Sequence, residues 1–96
     1  MSIRFDWDPR KNRWNRQKHG VSFEEALTVF YDECARILYD PDHSESEDRF
    51  LLLGLSSALR TLVVCHCYWE EEDSIRIISA RKATRSERGE YERWLP

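Results

Sequence analysis

Three helix-start signals punctuate a chain otherwise made of strand-like runs, and their positions fix the order in which its elements can occur. Asp8 followed by Pro9 reads as an N-cap and first helical residue, with Gly20 as the residue just past the helix end, which predicts a helix from about Pro9 to His19. Ser22 and Glu25 have the spacing of a capping box, flanked by Val21 and Ala26 as a hydrophobic staple. A second helix is therefore expected from Phe23 to Phe30, burying Phe23, Ala26, Leu27 and Phe30 at helical spacing. Thr84 and Glu87 form another such box and open a last helix running to about Trp94, with Tyr91 and Trp94 or Leu95 turned inward. Gly89 weakens that helix by about 1 kcal/mol relative to alanine.

The remaining apolar runs read as strands: Arg36 to Tyr39, Arg49 to Leu55, Thr61 to Tyr68 and Ser74 to Ala80, with Ile3 to Trp7 as a short first strand. The loops SSALR and WEEED are short enough for hairpins, so the last three strands form an antiparallel meander. The run from Ser74 to Ala80 is apolar on both sides, Ile75 and Ile77 on one and Ile78 and Ala80 on the face of Arg76, which suggests a central position. The expected fold class is α+β: a mostly antiparallel sheet with two N-terminal helices and one C-terminal helix, the helices packed on one side. At 96 residues one domain spanning 1–96 is expected.

No apolar run approaches the roughly 18 residues needed to cross a bilayer, and Met1 is not followed by a signal-peptide core, so a cytoplasmic protein without membrane contact is expected. Cys34, Cys65 and Cys67 are odd in number and contain no C-x-x-C pair, which reads as reduced thiols rather than a disulfide framework or a zinc ribbon. Cys65 and Cys67 flank His66 on a strand, so the sulfurs share one face and the imidazole takes the other. No metal or other cofactor is expected.

The formal net charge of -3 conceals a strong asymmetry. Residues 4–18 hold six Lys/Arg against Asp6 and Asp8, and residues 76–93 hold six against Glu87, Glu90 and Glu92. Between them, residues 22–48 carry nine carboxylates against Arg36 alone. A phosphate-binding surface can exist on such a chain if the fold joins its basic ends, since the local field decides; ordinary solvated faces are the alternative. On the first helix Lys11, Asn15 and Lys18 line one face with Trp14 alongside. Arg81 and Lys82 emerge at the end of the last strand, and Arg85 and Arg88 follow on the next helix, whose N-terminus adds a partial positive charge.

Taken together, FDWDPRKNRWNRQKHGVSFEEALTVF, PDHSESEDRF, LLLGLS, VVCH and IRIISARKATRSERGEYE resemble the BrnT family of toxins from bacterial type II toxin-antitoxin systems, from Phe5 to about Glu92. The most specific pieces are WDPxK with KHGVSFEEA and RIISARKAT with ER and Tyr91. The resemblance implies a RelE-like small domain, a ribonuclease that shuts down translation, and neutralisation by a cognate BrnA-like antitoxin with a DNA-binding domain. It also implies that operator DNA is met only through the toxin-antitoxin complex. One departure stands out: Trp69 to Asp73 place four carboxylates where a family member carries a shorter, more basic turn.

Cleaving RNA without a metal needs a base for the 2'-hydroxyl proton, an acid for the leaving oxygen and cations around phosphorus. Matched to the family pattern, the phosphate-stabilising candidates are Arg81, Lys82 and Arg49, with Lys11, Lys18 and Arg85 extending the RNA contact. His66, in the VVxH position, is the first acid/base candidate and His19 the second; Tyr91 is a proton donor or a platform for a base. Each has a structural alternative: His19 caps a helix C-terminus, His66 is a satisfied sheet residue, Tyr91 is core, and Trp7 and Trp14 anchor the first helix. Arg81 has no acidic partner evident in sequence unless Glu25 supplies one. His43 lies among carboxylates that would repel RNA and is left out. Two rival readings stand beside the ribonuclease. One is a non-catalytic binding module acting as a co-repressor. The other is a metal-dependent nuclease using Asp40, Asp42, Glu45, Glu47 and Asp48, which activity in EDTA would dismiss.

Overall fold

In a computed structural model, residues 3–39, 49–69 and 73–96 are described. The helix signals act as the sequence predicts. Helix α1 spans Pro9–His19, with the Asp8 carboxylate accepting from the Arg10 N–H and Gly20 in the left-handed region at φ 70°. Helix α2 spans Phe23–Thr28 and passes into a 3-10 turn, Val29–Tyr31. That tighter turn moves the inward position from Phe30 to Val29, so Phe23, Ala26 and Val29 are buried and Leu27 and Phe30 partly so. Helix α3 spans Arg85–Arg93 and carries a complete capping box between Thr84 and Glu87. At Ser22 half of the expected box forms: Ser22 Oγ accepts from the Glu25 N–H, but the Glu25 carboxylate is drawn off to Ser56 and Arg60.

Five strands make one sheet in the order β1-β5-β4-β3-β2, with β1 Arg4–Asp6, β2 Arg36–Tyr39, β3 Arg49–Leu55, β4 Thr61–Tyr68 and β5 Ser74–Lys82. Strands β2 to β5 pair antiparallel in sequence order, and β1 joins β5 in parallel. The apolar β5 does occupy an interior position, between β1 and β4.

Helices lie on both faces of the sheet, not on one. Leu52, Leu62, Val64, Ile77 and Ala80 meet Val21, Phe23, Ala26 and Val29 beneath α1 and α2. Leu53, Val63 and Tyr91 form a second cluster on the opposite side, under α3. Strand alternation requires this, because β3 is apolar at consecutive positions and each of its faces needs a cover. Gly54 sits where the chain has no room: a β-carbon there would lie 2.8 Å from Ala35 Cβ and from Val29 Cγ1.

A bulge at Ile78 interrupts the β4–β5 ladder, since Cys65 pairs with Ser79 while His66 pairs with Ile77. Ala80 therefore returns to the face of Ile77, contrary to the simple alternation expected from sequence, and Arg81 takes the α3 face opposite Val63.

Helix α1 docks through amides rather than apolar contacts, its buried residues being Asn12 and Asn15. Strand β1 pairs with β5 only as far as Arg76, and beyond that point Asn15 takes over the strand's free edge. Its Nδ2 donates to the Ala80 and Val21 carbonyls, both at 2.8 Å, and its Oδ1 accepts from the Ala80 N–H at 3.2 Å. Asn12 Oδ1 accepts from the Phe23 N–H at 2.9 Å and its Nδ2 donates to Glu24. Asn15 is thus not part of a cationic stripe with Lys11 and Lys18.

Candidate functional site

The register sorts the charged residues between the two faces. Arg49 and Arg76 both lie opposite Cys67, Arg81 lies opposite Val63, and Arg36 opposite Leu53, so all four arginines belong to the α3 face. Arg36 stacks on Trp94 at 4.9 Å, and Arg76 lies over Trp69 at 5.6 Å and pairs with Asp6. Arg49 and Arg81 do not converge. Their partners on β4 are four residues apart, a rise of about 13 Å, so they address different levels of the face.

Arg81 finds its acidic partner six residues ahead. Its Nη1 and Nη2 donate to the two Glu87 carboxylate oxygens at 2.7 and 2.9 Å, and Nη1 also donates to the Lys82 carbonyl at 3.3 Å. Two of the five guanidinium N–H donors remain for a ligand. Glu25, the partner suggested by sequence, is instead held by Arg60 and Ser56. Lys82 ends β5, exposed, on the α1 side of the sheet rim, and Arg85 opens α3, also exposed.

Glu87 is the hinge of this arrangement, because it also accepts from the Thr84 N–H at 2.8 Å. The Arg81 guanidinium, opposed by partial burial and aided by Thr84, pulls its carboxyl down to about 2 from an ordinary 4.5. A depressed carboxylate stabilises the fold fully above its unfolded value and loses that contribution as pH falls toward the folded one. Urea midpoints followed from about pH 5 to about pH 2 should therefore fall less steeply for Glu87→Gln than for the unaltered chain. Parallel curves would show that Glu87 is not linked to folding.

His66 lies on the other face, inside the core, at 0% exposure. Its Nδ1 contacts the Val64 carbonyl at 3.1 Å, and Phe30, Tyr68 and Phe50 surround the ring at centroid distances of 4.8, 5.3 and 6.1 Å. Burial lowers its pKa, the Val64 carbonyl opposing, and keeps the imidazole neutral. This geometry removes His66 from direct contact with a ligand on the α3 face.

Tyr91 is buried beneath α3, its hydroxyl donating to Asp32 Oδ2 at 2.6 Å. Asp32 also accepts from the Leu55 and Cys34 N–H groups. Burial pushes the Asp32 carboxyl up, but these donors together outweigh it and hold it below its usual range; burial and the carboxylate together push the Tyr91 phenol up. Tyr91 therefore pins α3 to β3. His19 ends α1, half-buried, and Lys11 and Lys18 are exposed on α1, across the sheet from Arg81.

Sequence reasoning missed Arg60, which ties the Gly20 carbonyl at the end of α1 to Glu25 on α2. It also missed Arg76 as a member of the arginine face. The pair Asn12 and Asn15, three residues apart in a cationic helix, was the available signal for a helix docked by amides. Among the described residues no group of three His, Cys, Asp or Glu side chains is placed to hold a metal ion. His43, the carboxylates at 40–48 and Glu70 to Glu72 lie outside the described residues. Among the described residues no helix is long and apolar enough to cross a membrane.

Residues 7–87 match the family described as the ribonuclease toxin, BrnT, of type II toxin-antitoxin systems. The fold is similar to that of the Brucella abortus ribonuclease toxin BrnT, known from a crystal structure at 1.1 Å resolution. The TM-score is 0.67 at 21% identity, covering 88% of this chain and 100% of that one. No curated protein sequence matches the chain.

Proposed function

Because the chain belongs to the BrnT family of ribonuclease toxins of type II toxin-antitoxin systems, we propose that its α3 face is where RNA is held and cut, without a metal ion. The observation that carries this reading is the gathering of Arg49, Arg76 and Arg81 on one sheet face by strands β3 and β5. In the proposed reaction the 2'-hydroxyl oxygen bonds to phosphorus while the bond to the 5'-oxygen breaks. The 2' proton leaves to water, and the departing oxygen takes a proton from water. Arg81, with Arg85 on the first turn of the helix that follows, neutralises the charge that accumulates on the phosphoryl oxygens, Arg49 with Arg76 holds the strand at the next level of the face, and Lys82 stays on the opposite side of the rim.

This assigns the acceleration mainly to charge stabilisation. Glu87, with a pKa of about 2, is too weak a base to share much of the proton. A neutral, buried His66 stands outside the reaction. The cleavage rate should accordingly rise through neutral pH without the break near about 6.5 that a titrating imidazole would impose. A bell-shaped profile centred there would return a histidine to the chemistry.

A cognate, BrnA-like antitoxin neutralises the toxin by covering this face, and the pair represses its own operon through the antitoxin's DNA-binding domain. The test is RNA cleavage by the purified chain in EDTA, on naked RNA and in a translation extract. Cutting that persists supports the reading. Cutting that stops on chelation and returns with a divalent ion overturns its metal independence. A folded chain that binds RNA but never cuts it would favour the co-repressor module.

A further inference from the structure

On the outer side of α1, Trp14 is 61% exposed. A single exposed apolar ring is ordinary on a protein surface, and only its surroundings can make it a contact. The surroundings here are cationic. Arg10, Lys11, Arg13, Gln17 and Lys18 are all exposed, and α1 contains five Lys/Arg and no carboxylate. Lys18 Nζ stands 4.7 Å from the indole centroid, and a shallow cleft on the same helix is lined by Arg13, Arg16 and Gln17. Asn12 and Asn15 do the docking of α1, so the fold does not need Trp14 for that purpose.

We propose that this face of α1 is a second contact surface for the RNA, one that takes single-stranded segments by stacking an unpaired base on Trp14 and holding the flanking phosphates with Arg10, Arg13 and Lys18. The inference rests on RNA being the substrate. A single indole among cations suits a base and its phosphates, since stacking platforms set in a basic groove hold single strands without reading sequence. A protein partner would need a broader apolar centre, from which charged residues are depleted. Helix α1 lies on the sheet face opposite Arg81, so the surface holds the strand away from the proposed scissile bond and adds uniform binding rather than selective stabilisation of the transition state.

The experiment titrates a fully 2'-O-methylated oligouridylate, which lacks the attacking hydroxyl, into isotope-labelled protein while the indole N–H of Trp14 is followed by NMR. Shifts at Trp14 and along α1 are expected. Trp14→Ala should bind this probe roughly 5- to 100-fold more weakly, the equivalent of one stacked base, and Trp14→Phe should keep most of the affinity. On cleavable RNA Trp14→Ala should raise KM with kcat unchanged. Shifts confined to the α3 face would overturn this surface and leave the cleavage site standing. Equal shifts at Trp14 from poly-glutamate would overturn it in favour of an acidic protein segment. Arg81→Ala should lower cutting roughly 100- to 1000-fold while the Trp14 shift persists, which separates failure of one surface from failure of the other.

Discussion

Replacing Arg81 with alanine is expected to lower RNA cleavage roughly 100- to 1000-fold in a chain that still folds, the range seen when one preorganised donor is removed from a developing oxyanion. The size of the effect follows from its position. Arg81 is held near the end of β5 by both oxygens of Glu87, so in the proposed reaction its guanidinium would meet a phosphate already oriented. Arg81→Lys should recover only part of the activity, because a point charge replaces a planar fork. Glu87→Gln tests the orientation directly: the positive charge survives while its bidentate anchor weakens, and kcat should fall by less than in Arg81→Ala. Initial rates on a defined RNA, with circular dichroism to verify folding, decide the matter. Full activity in folded Arg81→Ala would move the chemistry elsewhere.

The largest loss of stability is expected from Asn15→Ala. The change strands three buried backbone groups at once: the N–H and C=O of Ala80 and the C=O of Val21. Each unsatisfied group costs about 1–3 kcal/mol, so the variant should lose on the order of 3 kcal/mol or more. For a domain of this size that is a fall in Tm of roughly 10–20 °C. Asn15→Asp should do little better, since a carboxylate accepts from the Ala80 N–H but donates to neither carbonyl. Thermal melts of the three proteins measure this, and a fall of only a few degrees would mean that water replaces the amide along the strand edge.

Local grammar made most of the fold legible. Asp8-Pro9, Ser22 and Thr84 mark real helix starts because an N-cap side chain acts on its own next turn and needs no tertiary information. The meander was legible for a similar reason, short loops leaving adjacent strands little choice but to pair. What depends on distant residues was not. The side of the sheet taken by α3 depends on Leu53 and Val63 meeting Tyr91, and no pattern within α3 states it. The site divided along the same line. Arg85 stays on the first turn of α3, where the cap places it, whereas strand alternation sends Lys82 to the face opposite Arg81 and His66 enters the core, where no charge pattern could have placed it. The partner of Arg81 was within reach: the capping-box glutamate identified from sequence is the residue that holds it.

The extra residue at Ile78 gives β5 two phases. Up to Ile77 the odd-numbered side chains face α1 and α2; from Ala80 onward the even-numbered ones do. Each half serves both the core and the arginine face, Ile77 and Arg76 before the bulge and Ala80 and Arg81 after it, but the two halves are read in different frames. Substitutions that suit one half by parity are wrong for the other, so the two ends of one strand can vary under separate rules while sharing one ladder of hydrogen bonds.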